Sequence, residues 1–503
     1  MSSKELVMYI NGISRDQLYL FENKLDDMIS GDNPVRFIDA YVDNLDLLKL
    51  GFTNPGTNGW KGRPPYNPSM MLKIYMYGYL NRIRSSRKLE AECGRNTELI
   101  WLTCRLAPDF KTIADFRKDN RAGIKRIFRE FLKLCGKLDL LSFRCVAVDG
   151  TKERAQNHLD NIYQKESMER ISARIQEQIE IYLEELELND RAEEAEYEFL
   201  SKNLKEKLSK LKKKEDKIDI IKQMFAENPE LKTHFAGDSD SRYMKDNNRI
   251  NAGYNCQTAV DEKNNLIIAQ DVTNESNDMH QINSMMNKVN EVKEELRIEN
   301  QTIVVADAGY FEEREIVEAV KDERFDIYIS HPRDSQAQKK KVQEDEGKIP
   351  AKGFRKDDFI YDKEKDVFVC PAGKVLLKEG NGYIDKRTGT RKFKYTCREC
   401  DECKNRSLCT NDKSGRSIKV TEFFCEINEF REKCNSDLGK KLLSKRKEIV
   451  EHPFGTIKHS WGYRYFMQKG KDKVSAEFSF IAFIYNLKRV LNIVDFDKLM
   501  DAI

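Results

Sequence analysis

The sequence predicts a mixed α/β fold preceded by a helical domain, and three observations point to it. Two short apolar runs, Cys145-Val146-Ala147-Val148 and Ile303-Val304-Val305-Ala306, each lead into an aspartate with a glycine close behind, Asp149-Gly150 and Asp307-Ala308-Gly309. Beyond each run, stretches with helical spacing alternate with stretches of strand character. The first 140 residues carry helix signals only.

Taken in order, Asn67-Pro68 starts a helix, because an N-cap acceptor precedes a proline whose missing N–H costs nothing in the first turn. Met70, Met71, Leu72, Ile74, Tyr75, Tyr77 and Leu80 then cover more than one face, which predicts a buried helix. Further helices are predicted from Ser86, from Thr112 as N-cap, and over Ile124 to Leu138. Short helices carrying Arg82, Arg84, Arg87, Lys88, Arg117, Lys118 and Arg121 suit either DNA docking or a plain bundle with solvated basic residues. After the strand that leads into Asp149, the stretch from Leu159 to Phe225 has no glycine and spaces its apolar residues by threes and fours. This predicts an inserted helical hairpin, its glutamate-rich first arm facing a lysine-rich second arm. Strands follow at Gly253 to Val260 and Asn265 to Gln270, then a helix from Met279, the strand before Asp307, a helix from Glu312 and a strand over Asp326 to Ser330. His331 to Gly353 reads as a loop or linker, and Asn435 to Ile503 as helix.

A chain of 503 residues with 39% hydrophobic and 34% charged residues and 11 prolines is a folded, helix-rich protein of several domains, neither disordered nor fibrous. No apolar stretch approaches the roughly 18 residues of a membrane helix, and Met1 to Ile10 lacks the features of a signal peptide, so the expected location is the cytoplasm. Twelve cysteines do not make a disulfide scaffold here; four of them, Cys397, Cys400, Cys403 and Cys409, cluster in a way that favours a metal. The net charge of +3 is uninformative, but between Arg431 and Arg489 there are 14 Lys and Arg against 6 Asp and Glu. Nucleic acid is the natural partner of such a segment.

Carboxylates at strand ends are common in α/β folds. Two of them, with a glutamate in a basic helical segment, form a more demanding pattern. Phosphodiester chemistry uses carboxylates to hold two metal ions about 4 Å apart, and hard oxygen ligands select Mg²⁺.

The segments Val148-Asp149-Gly150-Thr151-Lys152, Ala306-Asp307-Ala308-Gly309-Tyr310 and Arg446-Lys447-Glu448-Ile449-Val450-Glu451-His452-Pro453-Phe454-Gly455-Thr456-Ile457-Lys458 resemble the three acidic motifs of bacterial insertion-sequence transposases of the DDE class. Gly62-Arg63-Pro64-Pro65-Tyr66, Pro108 to Ile113, Asp240-Ser241-Arg242, Gly253-Tyr254-Asn255 and Tyr485-Asn486-Leu487-Lys488-Arg489 extend the resemblance over most of the chain. It implies a ribonuclease H-like core in which Asp149, Asp307 and Glu451 are the catalytic, metal-binding triad for two Mg²⁺ ions, with Mn²⁺ as a substitute. Glu448 and Glu477 are rival acids; Glu451 is preferred because it precedes Phe454-Gly455 and stands seven residues before Lys458, as in the family. Pro453 predicts a kink or a new helix start beside it. Better-known relatives carry a tyrosine where Ser444 stands.

The same resemblance makes Arg446 and Lys458 phosphate contacts and implies DNA as partner: the element's terminal inverted repeats and the target, bound by a homodimer in the nucleoid. The basic short helices add Arg87 and Lys88 as expected DNA-binding residues. Trp461, Tyr463, Tyr465 and Phe466 could stack on bases or pack in the core. For the cysteines it favours Cys370, Cys400, Cys403 and Cys409 as a structural Zn²⁺ site, with Cys397 as a competing ligand. The organisation expected is a helical DNA-binding domain over 1–140, a core over 141–158 and 234–335 interrupted by the hairpin at 159–233, a linker and cysteine-rich zinc knuckle over 336–430, and core helices over 431–503 bearing the third acid. The activity implied is excision and insertion of the element by phosphodiester hydrolysis and strand transfer. A metal-dependent DNA nuclease with the same core, or a non-catalytic DNA-binding derivative, are the alternatives.

Overall fold

A computed structural model describes residues 24–53, 65–190, 195–246, 249–332, 334 and 354–503. The chain divides into two compact units, 1–123 with 490–503, and 124–489.

In the first unit, helices span Pro34–Asp43, Pro68–Leu80, Ser86–Cys93, Thr97–Leu102 and Phe110–Asp119. Asn67 caps the second of these by accepting from Ser69 N at 2.9 Å, and Met70 through Tyr79 are buried, as the apolar run predicts. The helix expected to start at Thr112 starts earlier. The Asp109 carboxylate accepts from Lys111 N at 2.9 Å and Thr112 N at 3.0 Å, so the cap is Asp109 and Thr112 lies within the first turn. Gly62, Arg63 and Pro64 of the quoted motif lie outside the described residues.

The second unit is built on a six-stranded mixed sheet. Its strands are β1 (Cys145–Arg154), β4 (Arg242–Asp246), β5 (Arg249–Asp261), β6 (Ile267–Thr273), β7 (Thr302–Ala306) and β8 (Phe325–Ile329), while β2 (Ile162–Gln164) and β3 (Thr233–Phe235) pair separately at the base of the hairpin. β1 has β5 antiparallel on one side and β7 parallel on the other; β8 follows β7 in parallel, and β4 and β6 succeed one another along the far edge of β5. Helices Ile282–Leu296 and Glu313–Val320 make the crossovers into β7 and β8. The helix Asp437–Phe454 lies across β1, β7 and β8.

β1 does not end at Asp149 as the sequence suggests. It runs on to Arg154, because β5 pairs with it from Val146 opposite Asp261 to Arg154 opposite Gly253. Gly253 permits that approach: a Cβ there would stand 2.3 Å from Glu153 O.

The hairpin arms are Met168–Asp190 and Ala195–Glu227. They meet along an apolar seam of Ile175, Ile179, Ile218, Ile221 and Phe225. Charge pairing is sparser than the sequence predicts: among the described residues the ion pair between the arms is Lys222 with Glu169 at 3.3 Å. The cysteine-rich segment is also more regular than a knuckle. It folds as a second antiparallel sheet, with β9 (Ile360–Asp362), β10 (Val367–Val369), β11 (Val375–Lys378), β12 (Tyr383–Ile384), β13 (Arg391–Thr396) and β14 (Ser417–Thr421) around Phe359, Phe368, Leu376, Tyr395, Ile418 and Val420.

Pro453 does not restart its helix. The helix continues to Phe454 and passes into a π-helical turn, Gly455–Ser460. Proline leaves the carbonyl four residues earlier without its donor, and here Asn265 Nδ2 reaches that carbonyl, Ile449 O, at 3.3 Å. Asn265 adopts φ of 55° in the β5–β6 turn. The helix Lys471–Ile493 holds that turn: Tyr485 Oη donates to Asn265 O at 2.8 Å, Arg489 Nε to Asn264 O at 3.0 Å, and Asn486 exchanges two hydrogen bonds with Ile267 at 2.9 and 2.7 Å. Replacing Asn265 by glycine keeps the backbone freedom and removes the donor. We expect about 1 kcal/mol of stability to be lost in denaturant unfolding, and part of it to return in Asn265→Gly/Pro453→Ala, where the helix regains its own N–H. No recovery in the double variant would contradict the pairing.

Candidate active site

The pairing of β1 with β7, Cys145 opposite Ile303 through Ala147 opposite Val305, sets the register in which Asp149 and Asp307 follow two residues on, near enough for their charges to interact. Asp307 leaves the strand as the cap of a short 3₁₀ turn, Ala308–Tyr310, accepting from Gly309 N at 2.8 Å. Asp149 accepts from Gly150 N at 2.8 Å and, through Oδ2, from Arg446 Nη1 at 2.9 Å. Arg446 is only 13% exposed and Asp149 22%, so this pair is shielded from solvent. Burial pushes the Asp149 carboxyl up to about 6; the Arg446 guanidinium opposes the rise and the charge of Asp307 adds to it.

A polar network ties the two strand ends together on the side of Gly150. Asp278, in the loop after β6, accepts at Oδ1 from Lys152 Nζ at 3.0 Å, Asn255 Nδ2 at 2.7 Å and Gln257 Nε2 at 2.7 Å. Tyr310, fully buried, donates through its hydroxyl to Gln257 Oε1, which connects the Asp307 turn to the same cluster. Gly150 is glycine because this network fills the space of a side chain: a Cβ would lie 2.5 Å from Gln257 Nε2 and 2.6 Å from Asp278 Oδ1. Sequence reasoning missed Asp278, Asn255, Gln257 and Tyr310 as site-shaping residues. The available signals were the glycine after Asp149 and the Gly253-Tyr254-Asn255 and Asp307-Ala308-Gly309-Tyr310 motifs, whose polar members find partners in this network.

Glu451 is not delivered with the aspartates. It is exposed, with no side-chain hydrogen bond or ion pair among the described residues. It stands five residues after Arg446, which places it about 140° around the helix from the side chain that reaches Asp149. Glu448 is exposed as well, and Glu477 is buried, accepting from Met467 N and Gln468 N. Among the described residues no three Asp, Glu, His or Cys side chains are placed to hold one metal ion. Asp149 and Asp307 suit a divalent cation, as adjacent carboxylates with like charge at a partly buried position; the third ligand is missing from the arrangement.

Lys458 Nζ donates to Lys152 O at 2.9 Å and pairs with buried Glu153 at 3.4 Å, on the strand that carries Asp149. Arg87 and Lys88 are exposed on the Ser86–Cys93 helix of the other unit, with Arg87 stacked 4.7 Å over Phe110. Of the four aromatics, Trp461, Tyr463 and Phe466 are buried in the core and Tyr465 is exposed. His452 Nδ1 lies 2.7 Å from Tyr485 Oη, facing the C-terminal helix.

Cys370, Cys397, Cys400, Cys403 and Cys409 line one small cavity, with Lys374 N donating to Cys370 Sγ at 3.2 Å and Arg416 N to Cys400 Sγ at 3.4 Å. The four-cysteine site expected for Zn²⁺ is nevertheless not assembled. Cys397, the competing ligand, is buried among the aromatic core residues, and burial raises its thiol to about 11.

Residues 369–491 match the family described as "Transposase DDE domain", and residues 23–119 match a family described as "Transposase domain". The first match covers Arg446, Glu451 and Lys458; Asp149 and Asp307 fall outside both. No curated protein matches the chain.

The raised Asp149 value has a measurable consequence. Ionising Asp149 costs the folded state, so its contribution is most favourable below the ordinary value of 3.8 and is lost as pH rises through about 6. That gap corresponds to about 3 kcal/mol. In chelator, Asp149→Asn should gain stability on the wild type between pH 4 and pH 8 by that order; a difference independent of pH would contradict it.

Proposed function

We propose that this chain, which belongs to the DDE transposases of insertion sequences, cuts and rejoins DNA at the paired carboxylates of Asp149 and Asp307. The observation that carries this reading is the side-by-side placement of two acids at the centre of the sheet, under a basic helix that lies within the DDE-domain match. The sheet order, an antiparallel β1, β5 and β6 continued in parallel by β7 and β8, supports a ribonuclease H-like core.

On this reading Asp149 and Asp307, joined by Glu451, would hold two Mg²⁺ ions, or Mn²⁺ in their place. Such ions supply activation of water or a 3′-hydroxyl and stabilisation of the leaving oxygen. The chain's own groups do the rest. The Asp278 cluster fixes the two strand ends so that the carboxylates need no rearrangement of their backbone. Arg446 answers the charge of Asp149 before substrate arrives and is placed to turn its guanidinium to a DNA phosphate, for which its planar fork is suited. Glu451 joins only if its helix rotates or its side chain swings inward, and the π-helical turn that follows Phe454 is a place where such a helix can change register. DNA is the partner in this account, as the element's terminal repeats and the target, engaged by a homodimer.

The test is Mg²⁺-dependent cleavage and strand transfer on labelled element ends by the wild type, Asp149→Ala, Asp307→Ala, Glu451→Ala and Glu448→Ala. Loss of at least about 100-fold is expected for the first three and near wild-type rates for Glu448→Ala. Cleavage without joining would replace transposition by a nuclease. Binding without cleavage would leave a DNA-binding derivative. Full activity in Glu451→Ala with loss in Glu448→Ala would reassign the third acid.

A further inference from the structure

Beyond Asp149, β1 continues to a cavity of about 420 Å³ whose charge the two acids do not explain. Lys152 and Arg154 of β1, Arg249 of β5, and Lys458, His459 and Arg464 contribute to its lining. Glu153 is the carboxylate among the lining residues, and Lys458 already pairs with it. Arg154 and Arg249 are exposed and have no carboxylate partner among the described residues. Guanidinium groups held together without counter-charge repel one another, and a site that keeps them is built for an anion.

The backbone around the cavity is fixed. Arg154 N donates to Arg464 O at 3.3 Å and Phe466 N to Arg154 O at 2.9 Å, so the segment after the π-helical turn runs beside the end of β1. Buried Glu477 anchors the next two residues, Met467 and Gln468, through their N–H groups. Arg464 is itself oriented, donating through Nε to Lys458 O at 3.1 Å. Gly253 lets β5 close against Glu153 beneath it.

We propose that this cavity is a phosphate-binding subsite for the backbone of a separated DNA strand, a few nucleotides from the bond cut at Asp149 and Asp307. The proposal rests on the function proposed above. At about 3.3 Å per residue, Lys152 and Arg154 lie roughly 10 to 17 Å along β1 from Asp149, with Glu153 on the same face of the strand as Asp149 and Lys152 and Arg154 on the other. The cavity has the size of a site for one small ligand, which suits a nucleotide or two of a single strand. Paired guanidinium forks are the side chains best matched to phosphodiester oxygens.

The test uses the full chain in chelator, so that no cleavage occurs, with a fluorescent duplex carrying a short 3′ single-stranded extension and the same duplex without it. Binding is followed by anisotropy over a range of salt. Arg154→Ala/Arg249→Ala/Arg464→Ala should bind the extended probe at least about tenfold more weakly at low salt and flatten its log–log salt dependence by roughly 0.7 for each phosphate no longer neutralised. The blunt duplex should be bound as by the wild type. The matching triple lysine variant keeps the charge and should restore most of the slope, which separates the effect of charge from misfolding. An unchanged slope on the extended probe would overturn the subsite, and equal weakening on both probes would overturn its assignment to a single strand. A wild type that binds the extension in chelator but does not cleave a labelled element end once Mg²⁺ is supplied would overturn the catalytic reading while leaving the subsite standing.

Discussion

The parallel pairing of β1 with β7 is the constraint on which the candidate site depends. Two apolar strands, each followed by an acid, must lie next to each other and in one register for the carboxylates to meet. A slip of one residue would turn one acid to the other face of the sheet. The register is held from both directions. Buried valines and alanines of β1 and β7 fill the core beneath, and beyond the acids the Asp278 cluster joins Lys152 and Gln257 to the Tyr310 that ends the Asp307 turn. Burial raises the cost of ionising Asp149, Arg446 offsets part of it, and the like charge of Asp307 adds to it.

That helix-borne arginine is paired with Asp149 in this arrangement. It occupies the carboxylate where a divalent cation would compete for the same oxygens, and it sits on the same helix as Glu451 but on a different face. The chain's devices for keeping that helix in place are correspondingly indirect. Pro453 frees a carbonyl, Asn265 answers it from the β5–β6 turn, and Tyr485, Asn486 and Arg489 hold the turn from the C-terminal helix. The conspicuous Tyr485-Asn486-Leu487-Lys488-Arg489 motif is explained by this scaffolding role.

Much of this was legible in the sequence, for physical reasons that differ by element. Asn67-Pro68 and the hairpin could be read because capping chemistry and helical periodicity are local. Asp149 and Asp307 stood out because an apolar run followed by an acid and a nearby glycine occurs twice, yet their adjacency belongs to the register between strands that lie far apart in the chain. Asp278 gave no signal: a single aspartate in a loop becomes important only when Lys152, Asn255 and Gln257 converge on it. The length of β1 was underestimated because Gly150 reads as a strand terminator, whereas it is the close approach of the polar cluster that requires it. The cysteine spacing suggested ligands, but the Phe, Tyr and Val residues around it build a sheet that holds Cys397 in the apolar core. For Glu451 the sequence placed the residue on a helix without fixing which way it faces.

The most direct measurement is the anomalous signal of Mn²⁺ in crystals of the full chain bound to a DNA end. The account predicts a peak between the carboxylates of Asp149 and Asp307, with Arg446 withdrawn from Asp149 towards a phosphate. Mn²⁺ bound elsewhere, with the Arg446–Asp149 pair intact beside a bound DNA end, would contradict it.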